Sequence, residues 1–178
     1  MLQSLIFLLK CLCLRVIINT IKNLYGGLLM SRRNARELVL HMLFDNEMSG
    51  NSATDILSCR LNPEYFDTLR SEDKLYSQIP DSAQNEYIND AVNGVISHCD
   101  ELDGYIKKYS SGWAISRISN IAKCILRLSM FEMKFMSIPI GASVNEAIEL
   151  SKRYDSEDVA AFINGILASF VKNELADV

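Results

Sequence analysis

The sequence predicts an all-α protein, and three observations carry that prediction. Gly (8) and Pro (3) are scarce in 178 residues. No stretch alternates apolar and polar residues as a half-buried strand does. Apolar residues instead recur at three- and four-residue spacing through most of the chain, the mark of a helix with one buried face. A composition of 49% apolar and 22% charged residues is that of an ordinary globular protein. The length suffices for a core without covalent staples. The five cysteines are odd in number and form no Cys-x-x-Cys pair, so they read as free thiols.

Residues 1–29 form an apolar leader unlike the rest. It carries Lys10, Arg15 and Lys22 and no acid. Lys10 and Arg15 interrupt its apolar run, which is too short for the roughly 20 residues of a spanning helix. No small-residue cleavage site follows. Two readings remain: an amphipathic membrane anchor, though with a thin polar face, or translated upstream sequence; if made, the leader is expected to be a loosely attached apolar helix. The second follows from Gly26-Gly27, which can be encoded by a ribosome-binding sequence just ahead of Met30, a sensible start. With three basic residues in the leader, the remainder is more acidic than the net charge of −4. Such a surface binds nucleic acid only through a local patch.

The first body helix is expected from Ser31, with Ala35, Leu38, Val39, Met42 and Leu43 on its buried face. Arg32, Arg33 and Arg36 fall on another face, and Leu40 and Phe44 lie close to the angle of Arg33. A new start follows, capped by Ser52 or Thr54. Residues 58–84 hold two of the prolines and many turn formers, so short helical pieces and a loop are expected. One stripe then runs through Ile88, Ala91, Val92, Val95, Ile96 and Cys99 to Leu102 and Ile106. Ser110 to Gly112 marks the boundary between two helical halves, 30–111 and 112–178, with Trp113 packing between them. Residues 119–136 are apolar on most sides (Ile121, Ile125, Leu128 and Phe135, flanked by Leu126, Met133 and Met136) and predict a central helix. Ser143 followed by Glu146 reads as a capping box. The last helix is capped by Asp155 or Ser156, with Glu157 and Asp158 at its positive end. Its stripe is Val159, Ile163, Ile166, Leu167 and Phe170.

No catalytic constellation appears. His41 and His98 sit in no metal spacing, and there is no phosphate-binding glycine loop or nucleophile elbow. Neither a cofactor nor a small-molecule substrate is suggested. What remains is Arg32, Arg33 and Arg36 at a helix start, where cations oppose the macrodipole. Guanidinium groups suit phosphate, and Phe44 offers a surface on which an unpaired base could stack. Charge with stacking points to single-stranded RNA. A solvated basic helix start is the bland alternative. So small a patch binds weakly by itself, which implies a second component.

Four collinear segments carry a resemblance: "RRNARELVLHMLF", "NIAKCILRLSMFEM", "IPIGASVNEAIELSKRY" and "SEDVAAFINGIL". In order and spacing they resemble the NusB family of bacterial transcription antitermination proteins, from Ser31 to about Leu175, with 50–85 poorly matched. The resemblance implies two helical bundles side by side. It implies a cytoplasmic protein that binds boxA-type RNA as a heterodimer with the ribosomal protein NusE. That pair joins the RNA polymerase elongation complex with other Nus factors and supports ribosomal RNA transcription. Carried over by motif, Arg32, Arg33, Arg36, Phe44, Asp158 and Phe162 are the RNA-contact positions, and Ala122 and Arg127 lie near the partner surface. Phe44 stands where the family usually has Tyr, and Ala161 where a basic residue is usual; Ala160 also lacks a polar tip. Phe162 sits at the edge of the core stripe, so packing remains an equal reading for it. Asn164-Gly165 is expected to serve close helix packing. Two other readings of the chain stay open: a protein-only interaction domain, and the appendage of an RNA cytosine methyltransferase.

Overall fold

A computed structural model describes residues 29–110 and 117–175. The leader up to residue 28 and Trp113 lie outside the described residues. Those described form eight α-helices: α1 (Arg32–Ser49), α2 (Ala53–Arg60), α3 (Pro63–Leu69), α4 (Ser82–Ser97), α5 (Cys99–Tyr109), α6 (Asn120–Phe135), α7 (Ile140–Tyr154) and α8 (Glu157–Glu174). A 3₁₀ turn spans Lys74–Ser77.

Local chemistry sets most helix ends. The Ser31 hydroxyl accepts the Asn34 amide and starts α1. Gly50, at φ 72°, ends it, its N–H closing on the Asn46 carbonyl; glycine takes this left-handed stop without a Cβ clash. Ser52 caps α2, Asn62 caps α3 ahead of Pro63, and Ser156 caps α8 ahead of Glu157 and Asp158. Residues 58–84 are the short pieces and loop that their composition predicts.

α6 is the central element and touches α1, α4, α5, α7 and α8. Its buried run includes Ala122 and everything from Cys124 to Met133. The apolar core spans both halves without interruption, from Leu38 and Met42 through Ile88 and Ile125 to Ile163 and Phe170. Each such side chain stabilises the fold by about 1.5–3 kcal/mol on burial.

Six expectations are corrected. The 85–109 stripe is not one helix: α4 ends at His98, whose ring Nδ1 lies 2.8 Å from the Gly94 carbonyl. α7 begins at Ile140 behind Pro139, so Ser143 lies within the helix and caps nothing. Phe135 is exposed, stacked on Phe131 at the surface end of α6, and Val159 is only half-buried. Leu40 is fully buried, because α4 and α6 pack on α1 from different sides. Gly165 faces open space, so Asn164-Gly165 does not serve close packing. The glycine that does is Gly94, where a Cβ would lie 1.9 Å from Phe131 Cζ.

Candidate nucleic-acid interface

The three arginines that share a helix face in sequence occupy three different environments. Arg36 is buried and donates through Nε to Glu132 Oε1 at 2.7 Å. Glu132 also accepts the Tyr87 hydroxyl at 2.6 Å and the Ser143 hydroxyl at 2.7 Å. This cluster ties α1, α4, α6 and α7 together, and Arg36 is an internal ion-pair residue rather than part of a free cationic strip. Arg33 is exposed but its Nε donates to both Glu146 oxygens, at 2.9 and 3.2 Å. Glu146 thus serves Arg33, not a capping box. Arg32 lies over the Tyr87 ring, 4.1 Å from its centroid. Its Nη1 is sheltered and has no hydrogen-bond partner among the described residues.

The cause is geometric. A helical wheel separates the arginines from the apolar stripe on α1, but it contains no neighbours. Glu132 and Glu146 come from α6 and α7, and they take up two of the three guanidiniums.

Phe44 stands away from this cluster and is 38% exposed. It lines a depression of about 680 Å³ with His41, Met48, Arg60, Ile121 and Tyr154. A second depression, about 260 Å³, is lined by Arg117, Ala122, Asp155, Asp158 and Phe162, and shares Ser119 with the first. A third, about 300 Å³, shares Phe162 and continues past Tyr109, Ala161 and Gly165. The shared residues place the three in a row, and this row is the groove that leads from α1 past the start of α6 to α8. Of the expected site residues, Phe44, Asp158, Phe162 and Ala122 line it; Arg32, Arg33, Arg36 and Arg127 do not.

The floor of the wide end is a hydrogen-bonded chain. The Tyr154 hydroxyl donates to buried Glu37, which also takes Arg153 Nη1 at 2.8 Å. His41 Nε2 lies 2.8 Å from the Tyr154 oxygen and Nδ1 lies 3.3 Å from the Tyr76 hydroxyl. Since Tyr154 gives its proton to Glu37, the network assigns the His41 proton to Nε2. Burial lowers the His41 pKa from its ordinary 6.5, so the ring is neutral near pH 7.

The expected partner residues also change meaning. Arg127 is 7% exposed. It donates to Asp103 at 2.7 and 2.8 Å and to Glu47 at 2.6 Å, clamping α6 to α5 and α1. Desolvation pushes the Glu47 carboxyl up, but hydrogen bonds from Lys123 and Arg127 outweigh it, and the pKa falls. Ala122 is 1% exposed and reaches the surface only as groove lining. Sequence reasoning missed Tyr87, Arg60, Arg117 and Tyr154. Tyr87 and Tyr154 read as ordinary helix aromatics; the only available signal for Arg117 was its place two residues before the Ser119 cap of α6.

Fold and groove together define a class: an all-α binding protein whose site offers aromatic rings and hydrogen-bonding edges along a track. Among the described residues, no cluster of three or more His, Cys, Asp or Glu could hold a metal ion. A profile of the NusB family matches residues 33–172. The transcription antitermination protein NusB of Thermoanaerobacter sp. (strain X514) is 38% identical over 145 residues, 82% of this chain and 93% of that protein. The protein of that name from Acetivibrio thermocellus is 38% identical over 147 residues, 82% and 92% of the two chains. Among solved structures, T. maritima NusB superposes with a TM-score of 0.68 at 28% identity, covering 82% of this chain and 94% of that one. A NusB chain solved with NusE and double-stranded RNA shares the fold, with a TM-score of 0.63 at 22% identity and 79% and 96% coverage. The chain belongs to the NusB family.

Proposed function

We propose that this chain is a transcription antitermination factor that binds boxA-type single-stranded RNA as a heterodimer with the ribosomal protein NusE. In this reading the pair joins the RNA polymerase elongation complex with other Nus factors and supports ribosomal RNA transcription. The chain acts by contact, not catalysis, and works in the cytoplasm; no helix among the described residues is long and apolar enough to cross a membrane. The family match begins at residue 33, after the leader. The halves 30–111 and 112–178 act together, because both supply groove walls.

The groove is the observation that carries the reading. A single strand needs a continuous track with rings for its bases, and Phe44 and Phe162 stand at separate points along one. Asp158 suits the exocyclic amino group of a base rather than a phosphate. Arg60, paired with Asp45, and Arg117 are the arginines that line the groove, few enough that a basic partner is needed. The relatives named antitermination proteins support the role, and a neighbour of the same fold was solved with NusE and double-stranded RNA.

The carboxylate pairing of Arg33 and Arg36 favours a second reading, a protein-only interaction domain. One experiment separates them. Labelled boxA-type RNA is titrated with the chain, with and without the ribosomal partner, for the wild type, Phe44→Ala and Phe162→Ala. The RNA reading expects a one-to-one protein complex with raised RNA affinity that both variants weaken. A complex that forms but gains no RNA affinity leaves the protein-only reading.

A further inference from the structure

We propose that Tyr87 is a positioning residue that holds Arg32 flat for contact with an RNA phosphate; the proposal rests on the RNA reading above. Arg32 enters no ion pair among the described residues, although Arg33 and Arg36 beside it are both paired. Its guanidinium rests on the Tyr87 ring, 4.1 Å from the centroid. One amino group is pressed inside without an acceptor, while the side chain stays half-buried, with its remaining surface open. A sheltered cationic donor without a partner disfavours the fold, and a cation in the first turn of α1 opposes the helix dipole. The stack on Tyr87 offsets these terms in part but leaves the amino group without an acceptor. An arriving anion relieves both terms.

The platform is itself fixed. The Tyr87 hydroxyl donates to Glu132 at 2.6 Å, and Glu132 is held by Arg36 and Ser143. Tyr87 is 3% exposed. Burial first, and the Glu132 charge second, raise its pKa well above 10, so it stays a hydrogen-bond donor. A buried ring anchored at its far end presents one face at a fixed angle. A guanidinium stacked on it has lost its side-chain freedom before the ligand arrives, which lowers the entropic cost of contact.

The test uses the full chain with its ribosomal partner and a short labelled boxA-type RNA, titrated across a range of salt. One phosphate contact on a single strand contributes about 0.7 to the slope of log affinity against log salt. Arg32→Ala is expected to reduce the slope by about that amount and to weaken binding about tenfold. Tyr87→Leu should reproduce both changes, and the double variant should add nothing. Tyr87→Phe keeps the ring and should keep the slope. A normal slope in Tyr87→Leu alongside a reduced one in Arg32→Ala overturns the platform; an unchanged slope in Arg32→Ala overturns the phosphate contact. Absence of RNA binding by the wild type, with partner present, overturns the RNA reading itself. If Tyr87→Leu does not fold, NMR of the wild type decides. Arg32 side-chain protons should be shifted upfield by the ring, and unshifted protons overturn the proposal.

Discussion

Removing the Arg36 guanidinium should unfold the protein far more readily than it should disturb RNA contact. The Arg36 and Glu132 side chains are 8% and 1% exposed and meet at 2.7 Å. Arg36→Ala leaves the Glu132 carboxylate buried against two neutral donors, Tyr87 and Ser143. Breaking a buried pair from one side costs about 3–5 kcal/mol, because the surviving charge is uncompensated. At about 2–4 °C per kcal/mol for a chain of this size, the melting temperature should fall by roughly 6–20 °C. Urea titration followed by far-UV circular dichroism measures the loss. Replacing both partners, Arg36→Met with Glu132→Leu, removes the stranded charge and should recover most of the stability. A loss below about 1 kcal/mol in Arg36→Ala, with a collapse of RNA affinity in the folded protein, would refute the reasoning and return Arg36 to the surface strip.

Other outcomes follow from the same geometry. Gly94→Ala must displace the Phe131 ring from a Cβ placed 1.9 Å away. That ring is stacked on Phe135 and lies against His98. Overpacking should outweigh the helix-propensity gain of alanine and destabilise by about 1–3 kcal/mol in a thermal melt. His41 titrates below 6.5 when folded, so the unfolded chain binds its proton first. Stability should hold above pH 6.5 and decline as pH falls through the folded pKa, and His41→Gln should flatten that decline in urea midpoints taken across the range. Phe44→Ala should weaken boxA-type RNA binding by about 1–3 kcal/mol in anisotropy titrations. The same variant should lose less stability than the roughly 3–5 kcal/mol of a fully buried Phe→Ala, since the residue is 38% exposed.

Much of the fold was legible in the sequence because its signals are local. The stripes of α1, α4, α6 and α8, and the caps at Ser52 and Ser156, depend on residues within a turn or two of one another. Family resemblance placed Phe44, Asp158 and Phe162, and the groove brings these three together. The arginine strip was not legible as it stands. Charge and spacing put Arg32, Arg33 and Arg36 on one face, but their partners Tyr87, Glu146 and Glu132 lie far along the chain. Ser143 misled for a related reason. Its cap pattern was genuine in sequence, yet Pro139 starts α7 earlier, and the hydroxyl turns inward to Glu132.

The sequence by itself determined that the chain is helical, where most helices begin and end, and which faces are apolar. Those properties follow from backbone hydrogen bonding and side-chain periodicity within single segments. Only the tertiary structure decided that Arg33 and Arg36 meet carboxylates while Arg32 lies on the Tyr87 ring. A charge finds its partner across helices, and the distance of a few ångströms that sets such a pairing exists only once α1, α4, α6 and α7 have packed.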